Sequence, residues 1–295
     1  MFFRWLCKFF TFFQPLQTLR ARNWFGRINF VTLHHIEEIF WIMGSDTIGI
    51  IPARYASSRF PGKPLAEIDG RPMVCRVFDR AAEALGRENV YVATDDRRIA
   101  DVVESSGGTA VMTSGEIANG TARCAAALKQ IDRRPDFIIN IQGDEPMIAP
   151  EDIRRLADAL RESDAGITTL ARRFDPEEGI DTLMSPDNPK VVMDCRNNAL
   201  YFSRAVLPHV SAAALKRHTH LPPFYLHTGT YAFRREVLDE IVTLPEAGLE
   251  KAERLEQLRW LAAGYRIKIV ITDNKTISID TPSDLEKLYE ATRQI

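Results

Sequence analysis

Three cations and two distant aspartates make the strongest chemical case in this chain of 295 residues. The stretch Ile51-Pro52-Ala53-Arg54-Tyr55-Ala56-Ser57-Ser58-Arg59-Phe60-Pro61-Gly62-Lys63-Pro64-Leu65 follows a short apolar run from Thr47 to Ile51. It gathers Arg54, Arg59 and Lys63 into one loop, with Gly62 free to turn and prolines that limit the bending. Backbone N–H groups and fixed positive charge directly after a strand suit a polyphosphate. The loop is not a P-loop, because no Gly-Lys-Ser/Thr follows a first glycine, and it is not G-x-G-x-x-G. Taken alone, it also reads as a solvated basic loop.

Gln142-Gly143-Asp144-Glu145-Pro146 closes the most apolar run of the chain, Phe137–Gln142. An Asp there, after a Gly that allows a close turn, is placed to hold a divalent cation; its plainer role is to cap the next turn. Asp280-Thr281-Pro282-Ser283-Asp284 repeats the arrangement near the C-terminus, and in isolation it reads best as a helix cap. Together, the cationic loop and the two carboxylates form an inventory for nucleoside-triphosphate chemistry on Mg²⁺, which takes one or two carboxylates plus substrate phosphates.

The elements that must position these residues alternate regularly. Strand patterns at Thr47–Ile51, Asn89–Ala93, Thr109–Met112, Phe137–Gln142 and Ala165–Leu170 are separated by helical patterns. The latter run over Pro72–Leu85, Asp96–Ser106, Thr121–Ile131 and Pro150–Glu162. Such alternation predicts an α/β fold, a Rossmann-like, mostly parallel sheet with helices on both faces. Asp175 to Pro189 reads as loop and Val191–Asp194 with Leu200–Ser203 as a hairpin. Tyr225–Phe233 and Ile267–Thr272 read as strands, and Arg254–Ala263 and Thr281–Ile295 as helices. A smaller β-rich insertion is expected at about 175–235.

The net charge of −2 leaves no basic excess for a general nucleic-acid binder. Cys7, Cys75, Cys124 and Cys195 include no C-x-x-C pair, which excludes the common zinc spacings and points to a reducing, cytoplasmic setting. Residues 1–43 differ from the rest: they are aromatic from Phe2, Phe3 and Trp5 onward and contain no Asp. Arg4, Lys8, Arg20, Arg22 and Arg27 interrupt any run of the ~20 apolar residues that a membrane span needs. A signal sequence would want an unbroken apolar core. The expectation is an N-terminal extension outside the fold, Met43 as the effective start and residues 44–295 as the domain. A membrane tether is the competing reading.

At this point the sequence resembles a known family. The 51–65 loop is similar to the signature of the 3-deoxy-manno-octulosonate (Kdo) cytidylyltransferases, within the nucleotide-diphospho-sugar transferases. The likeness continues through Ala93-Thr94-Asp95-Asp96, Gly120-Thr121-x-Arg123, Asn140 to Pro146, Ala199-Leu200-Tyr201-Phe202-Ser203-Arg204, Leu255-Glu256-Gln257-Leu258-Arg259 and Asp280-Thr281-Pro282-x-Asp284-Leu285. It covers Thr47 to the C-terminus and nothing before Met43.

The resemblance implies transfer of CMP from CTP to the anomeric hydroxyl of the eight-carbon acid sugar Kdo, for lipopolysaccharide assembly. By that likeness Asp144 and Asp280 hold Mg²⁺ and act in catalysis with Lys63, while Arg54, Arg59 and Lys63 grip the triphosphate. Pro52, Ala53, Gly120, Thr121, Arg123, Gln142 and Gly143 complete the nucleotide side, and Arg204, His227, Tyr231, Glu256 and Gln257 the sugar side. Without the resemblance, Glu256 to Arg259 read as a solvated helix face and His227 as an ordinary polar strand residue. The resemblance also implies a homodimer joined through the insertion.

Ala205-Val206-Leu207-Pro208-His209-Val210-Ser211 and the stretch to His220 depart from the family pattern, as does the Thr230 that precedes Tyr231. These changes bear on the sugar, not on the metal or triphosphate. A sialic-type or 8-amino sugar is therefore an alternative acceptor. The sialate enzymes, however, continue Ile-Pro-Ala-Arg with Gly-Gly-Ser-Lys. A non-catalytic nucleotide-binding homologue would have lost Asp144, Asp280 or Lys63, and all three are present.

Overall fold

The computed structural model describes residues 46–56, 59–211, 222–275 and 278–292. The chain divides between Gly44 and Ser45, so the expectations for residues 1–43, for Ser57 and Ser58, and for the stretch up to His220 lie outside the described residues.

Strand β1 (Thr47–Ala53) is followed by a two-stranded ribbon, β2 (Glu67–Ile68) and β3 (Arg71–Pro72), and by helix α1 (Met73–Leu85). The chain continues through β4 (Val90–Thr94), α2 (Arg97–Ser105), β5 (Thr109–Met112), α3 (Gly120–Leu128), β6 (Phe137–Asn140), α4 (Pro150–Glu162) and β7 (Ile167–Arg173). After these come α5 (Ile180–Met184), the hairpin β8 (Lys190–Met193) and β9 (Ala199–Ser203), and the long strand β10 (Tyr225–Arg234). Helices α6 (Arg235–Ile241), α7 (Gly248–Glu253) and α8 (Gln257–Ala262), strand β11 (Ile267–Thr272) and helix α9 (Pro282–Thr292) complete the order.

The main sheet runs β11-β7-β10-β6-β1-β4-β5. Its pairings β6–β1, β1–β4, β4–β5 and β7–β11 are parallel, as the alternation of patterns predicts. Strand β10 is antiparallel to both neighbours, β6 and β7. Of the segment expected as an insertion, the β8–β9 hairpin joins β10 at Leu226↔Lys190, while β10 itself crosses the middle of the sheet. Because β10 runs the opposite way, its Tyr231 lies beside Asn140, the last residue of β6, and its earlier residues extend past that strand's end.

Strands buried on both faces need apolar residues at successive positions. Ile48 and Ile50 belong to a core with Cys124 and Leu128 of α3, Leu238 of α6 and Leu258 and Trp260 of α8. Ile51 belongs to the opposite core, with Val74, Val77 and Phe78 of α1 and Ile153, Leu156 and Leu160 of α4. Among the described residues no helix is long and apolar enough to cross a membrane.

Three departures from the sequence pattern have local causes. The helix expected over Arg254–Ala263 starts late, because Arg254 adopts a left-handed conformation (φ 53°, ψ 45°) that ends α7, and α8 begins only at Gln257. The expected loop 175–189 contains α5. Helix α6 follows β10 with no intervening residue, and no Gly or Pro marks the change in the sequence.

Trp260 is buried and meets Tyr231 and Phe233 edge to face, with ring centroids 5.0 and 5.4 Å away. Trp260→Ala is expected to lower the unfolding free energy by about 3–5 kcal/mol, measured as a lower urea midpoint with an unchanged slope.

Candidate active site

The loop after β1 folds back on itself. Gly62, at φ 72°, donates its N–H to the Tyr55 carbonyl at 3.0 Å, and Lys63 starts a short 3-10 turn. Tyr55 is fixed from outside the loop: its N–H reaches Asp95 Oδ1 at 3.4 Å and the Arg98 guanidinium lies 3.5 Å from its ring centroid. The turn directs the Lys63 ammonium between two carboxylates, 2.8 Å from Asp144 Oδ2 and 3.2 Å from Asp280 Oδ1. Arg59 Nη2 stands 3.1 Å from the same oxygen of Asp280.

The two carboxylates are brought together by the main chain. Ile279 N–H donates to the Asp144 carbonyl at 2.9 Å, which docks the segment before α9 beside the β6 turn. Asp284 then accepts from Thr281 N at 2.9 Å, from Thr281 Oγ1 at 2.8 Å and from Asp280 N at 3.2 Å. This is an N-terminal capping arrangement with Pro282 at the first helical position. The cap and the candidate ligand are thus different residues of one motif.

A cavity of about 630 Å³ opens above this cluster. Pro52, Ala53, Arg54, Arg59, Lys63, Gly120, Arg123, Gln142, Gly143, Asp144 and Asp280 all line it. A Cβ at Gly143 would sit 2.8 Å from the Pro52 carbonyl oxygen, so only Gly lets the β6 turn approach β1 this closely. Asn119 caps α3, its side-chain oxygen accepting from Ala122 N at 2.8 Å.

Two members of the nucleotide set are held by other side chains: Arg123 in the cavity wall and Thr121 behind it. The buried Arg123 donates to Thr113 Oγ1 at 2.6 Å and pairs with Asp95 at 3.2 Å. Thr121 is buried, with its hydroxyl donating to Glu256 Oε2 at 3.1 Å and accepting from Asn140 Nδ2 at 3.4 Å.

A second cavity, of about 440 Å³, adjoins the first and shares Gln142, Asp144, Arg254 and Asp280 with it. Arg204, His227, Tyr231, Glu256 and Gln257 line it. Gln142 Nε2 donates to the Gly229 carbonyl at 2.8 Å, where the register of β10 shifts between His227 and Tyr231 and Gly229 takes φ 82°. This shift brings the start of β10 beside the β6 turn.

The wall of the second cavity suits a neutral, hydroxyl-rich surface. Thr169 Oγ1 donates to the Thr230 carbonyl at 2.7 Å, so at its 2.9 Å contact with His227 it accepts. The imidazole therefore carries its proton on Nε2 and keeps Nδ1 as an acceptor. Burial pushes the His227 pKa down to about 3, which leaves the ring neutral, and burial raises the Tyr231 hydroxyl well above its ordinary range. The buried Gln257 Nε2 and Thr228 Oγ1 have no hydrogen-bond partner among the described residues. Buried polar groups left this way are suited to a ligand's hydroxyls.

The arrangement also involves residues that the sequence reading left unassigned. Asp95 joins Tyr55 to Arg123; its position within Ala93-Thr94-Asp95-Asp96 at the end of β4 was the available signal. Arg254 lines both cavities, and its left-handed backbone carries no sequence signal.

Comparison with known proteins gives the family of the chain. The sequence pattern of the cytidylyltransferase family matches residues 48–269. A 3-deoxy-manno-octulosonate cytidylyltransferase of Parabacteroides distasonis is 48% identical over 81% of this chain and 95% of its own length. The chain belongs to this family. Within it, an 8-amino-3,8-dideoxy-manno-octulosonate cytidylyltransferase of Shewanella piezotolerans is 44% identical over 80% of this chain and 94% of its own. A solved CMP:2-keto-3-deoxy-manno-octonic acid synthetase complexed with CTP superposes with a TM-score of 0.76 at 39% identity, covering 85% of this chain and 99% of that one.

Glu256 connects the cavities electrostatically. Burial raises its pKa to about 7, opposed by the Thr121 hydrogen bond and by Arg259. A carboxyl whose folded pKa lies above its ordinary 4.5 stabilises the fold at low pH and loses that contribution as pH rises through about 7. Glu256→Gln keeps an acceptor for Thr121 without the charge. Its stability relative to the parent is expected to rise between pH 4.5 and 7, by up to about 3 kcal/mol, and to level above that. Urea titrations at stepped pH check this.

Proposed function

We infer that the protein transfers CMP from CTP to the anomeric hydroxyl of Kdo, giving CMP-Kdo and diphosphate for lipopolysaccharide assembly. The observation that carries the reading is the meeting of two cavities at Asp144 and Asp280, one rimmed by Arg54, Arg59 and Lys63 and the other by hydroxyl-binding side chains. The sugar oxygen forms its bond to the α-phosphorus as the bond to the β-phosphate oxygen breaks, and diphosphate leaves.

Arg54 lines the first cavity and makes no side-chain hydrogen bond or ion pair with the described residues. It is available to the outer phosphates, and Arg59 and Lys63 stand beside it to offset the charge that develops on the departing diphosphate. Pro52, Ala53 and Gly143 present main-chain groups to the base. In the second cavity His227 Nδ1, the Gln257 amide and the Glu256 carboxyl hold the sugar by its hydroxyls. Arg204 and Tyr231 stand with them, Arg204 already donating to the carbonyls of Pro186, Glu253 and Arg254.

The donor set suits Mg²⁺. Two carboxylates face each other across the Lys63 ammonium, and among the described residues no group of three or more His, Cys, Asp or Glu side chains is placed to hold a metal ion. The protein would supply two oxygen ligands, Asp144 and Asp280, with the rest from phosphates and water. Bound there, Mg²⁺ supplies positive charge at the reacting phosphate and lowers the pKa of the attacking hydroxyl.

The same reading makes the protein a cytoplasmic homodimer that binds no nucleic acid or membrane. Met184 and Leu200 are large apolar side chains, 58% and 61% exposed, within the segment expected to join the subunits.

Diphosphate release from CTP should require both an acid sugar and Mg²⁺, and should stop when EDTA exceeds the metal. Asp144→Asn, Asp280→Asn and Lys63→Met are each expected to lower kcat by roughly 10²-fold or more. Full activity in Asp144→Asn, or no release with any acid sugar, would reject the mechanism. Parallel assays with Kdo and its 8-amino analogue decide between the two relatives' acceptors.

A further inference from the structure

A 2-keto acid sugar in its ring form carries its carboxylate on the same carbon as the hydroxyl that attacks phosphorus. The cation that receives this carboxylate must therefore stand where the two cavities meet, next to Asp144 and Asp280. An arginine that lines only the second cavity stands away from that junction.

Three arginines line the second cavity: Arg172, Arg204 and Arg254. Arg172 is engaged by both oxygens of Glu178, at 2.7 and 2.6 Å. Arg204 donates Nε to the Glu253 carbonyl at 2.8 Å, Nη1 to the Pro186 carbonyl at 2.6 Å and Nη2 to the Arg254 carbonyl at 3.3 Å. Neither of them lines the nucleotide cavity. Arg254 lines both cavities, and its side chain makes no ion pair or hydrogen bond with the described residues.

Its backbone adds an independent observation. Arg254 has φ 53° and ψ 45°, a conformation that side-chain-bearing residues rarely adopt and glycine adopts readily. The main chain is tied there by Arg254 N to the Glu250 carbonyl at 2.6 Å and by Arg204 to the Arg254 carbonyl. The turn ends α7 and sets the side chain at the junction, between the cap of one helix and the Glu256 that precedes the next.

We propose that Arg254 binds the carboxylate of the acid sugar and thereby orients the adjoining anomeric hydroxyl toward the α-phosphate. This rests on the reading of the site as a CTP:acid-sugar cytidylyltransferase. A guanidinium fork matches a carboxylate's two oxygens, so the residue selects a 2-keto acid over a neutral sugar of the same shape.

The test uses the full chain and Arg254→Gly, which removes the guanidinium while keeping a residue suited to φ 53°. Arg254→Lys serves as a partial rescue. Diphosphate release is measured against CTP, against Kdo and against Kdo with its carboxylate converted to the carboxamide. Arg254→Gly should raise KM for Kdo by roughly 10- to 100-fold, leave KM for CTP within about twofold and leave the melting temperature unchanged or higher. Arg254→Lys should fall between. The carboxamide should already be poor for the parent and lose no more in Arg254→Gly. A KM for Kdo within twofold of the parent, or an equal loss for Kdo and its carboxamide, would overturn the assignment. A parent enzyme inactive with every acid sugar would instead overturn the reading of the reaction itself.

Discussion

One ammonium group, between two carboxylates that are 81 and 217 residues away from it in sequence, is the contact on which the site depends. Two carboxylates placed this close repel each other unless a cation stands between them. Lys63 supplies that charge from a side chain only 15% exposed, where solvent screens it weakly. The ion bridge joins the loop after β1, the turn after β6 and the segment before α9. The Ile279–Asp144 backbone hydrogen bond gives that junction a geometry that charge alone would not.

The sheet explains why these segments converge. β1, β4 and β6 run in parallel, so their following loops emerge at one edge, where ligands bind in open α/β sheets. The reversed β10 adds a strand whose beginning, not its end, lies at that edge. Tyr231 pairs with Asn140 and Arg234 with Phe137, so the residues before Tyr231 extend past the end of β6 toward Gln142. Parallel strands furnish the nucleotide side and the antiparallel one the wall opposite it. Buried, neutral His227 and Tyr231 belong to this wall and not to the charged rim.

The parts legible in the sequence were those with strong local signals. Alternating apolar runs predicted the parallel strands, and their ends located the cationic loop and Asp144, whereas Asp280 lies past the end of β11, just before α9. What escaped was set by tertiary contacts. Thr281 holds the N-cap position of α9, and Asp284, three residues on, completes the cap because its carboxylate meets three donors at once. Arg123, which the resemblance sets on the nucleotide side, is tied by an ion pair to Asp95, a partner 28 residues earlier. The stop at Arg254 follows from a left-handed residue with no glycine to announce it, so the apparent ten-residue helix shrinks to the six residues of α8, and α7 lies just before it. Short helices carry little periodicity, which is why α5, α6 and α7 were read poorly.

The hydrogen bond from Thr121 to Glu256 spans 135 residues of sequence and joins the helix beside one cavity to the residue lining the other. Asn140, at the end of β6, donates to the same threonine hydroxyl. Acceptor preference and nucleotide affinity therefore share a physical component and are not independent traits of this scaffold. Changes at 121 and 256 will combine non-additively, so a library that varies the sugar pocket while holding the nucleotide wall constant searches only part of the accessible specificity.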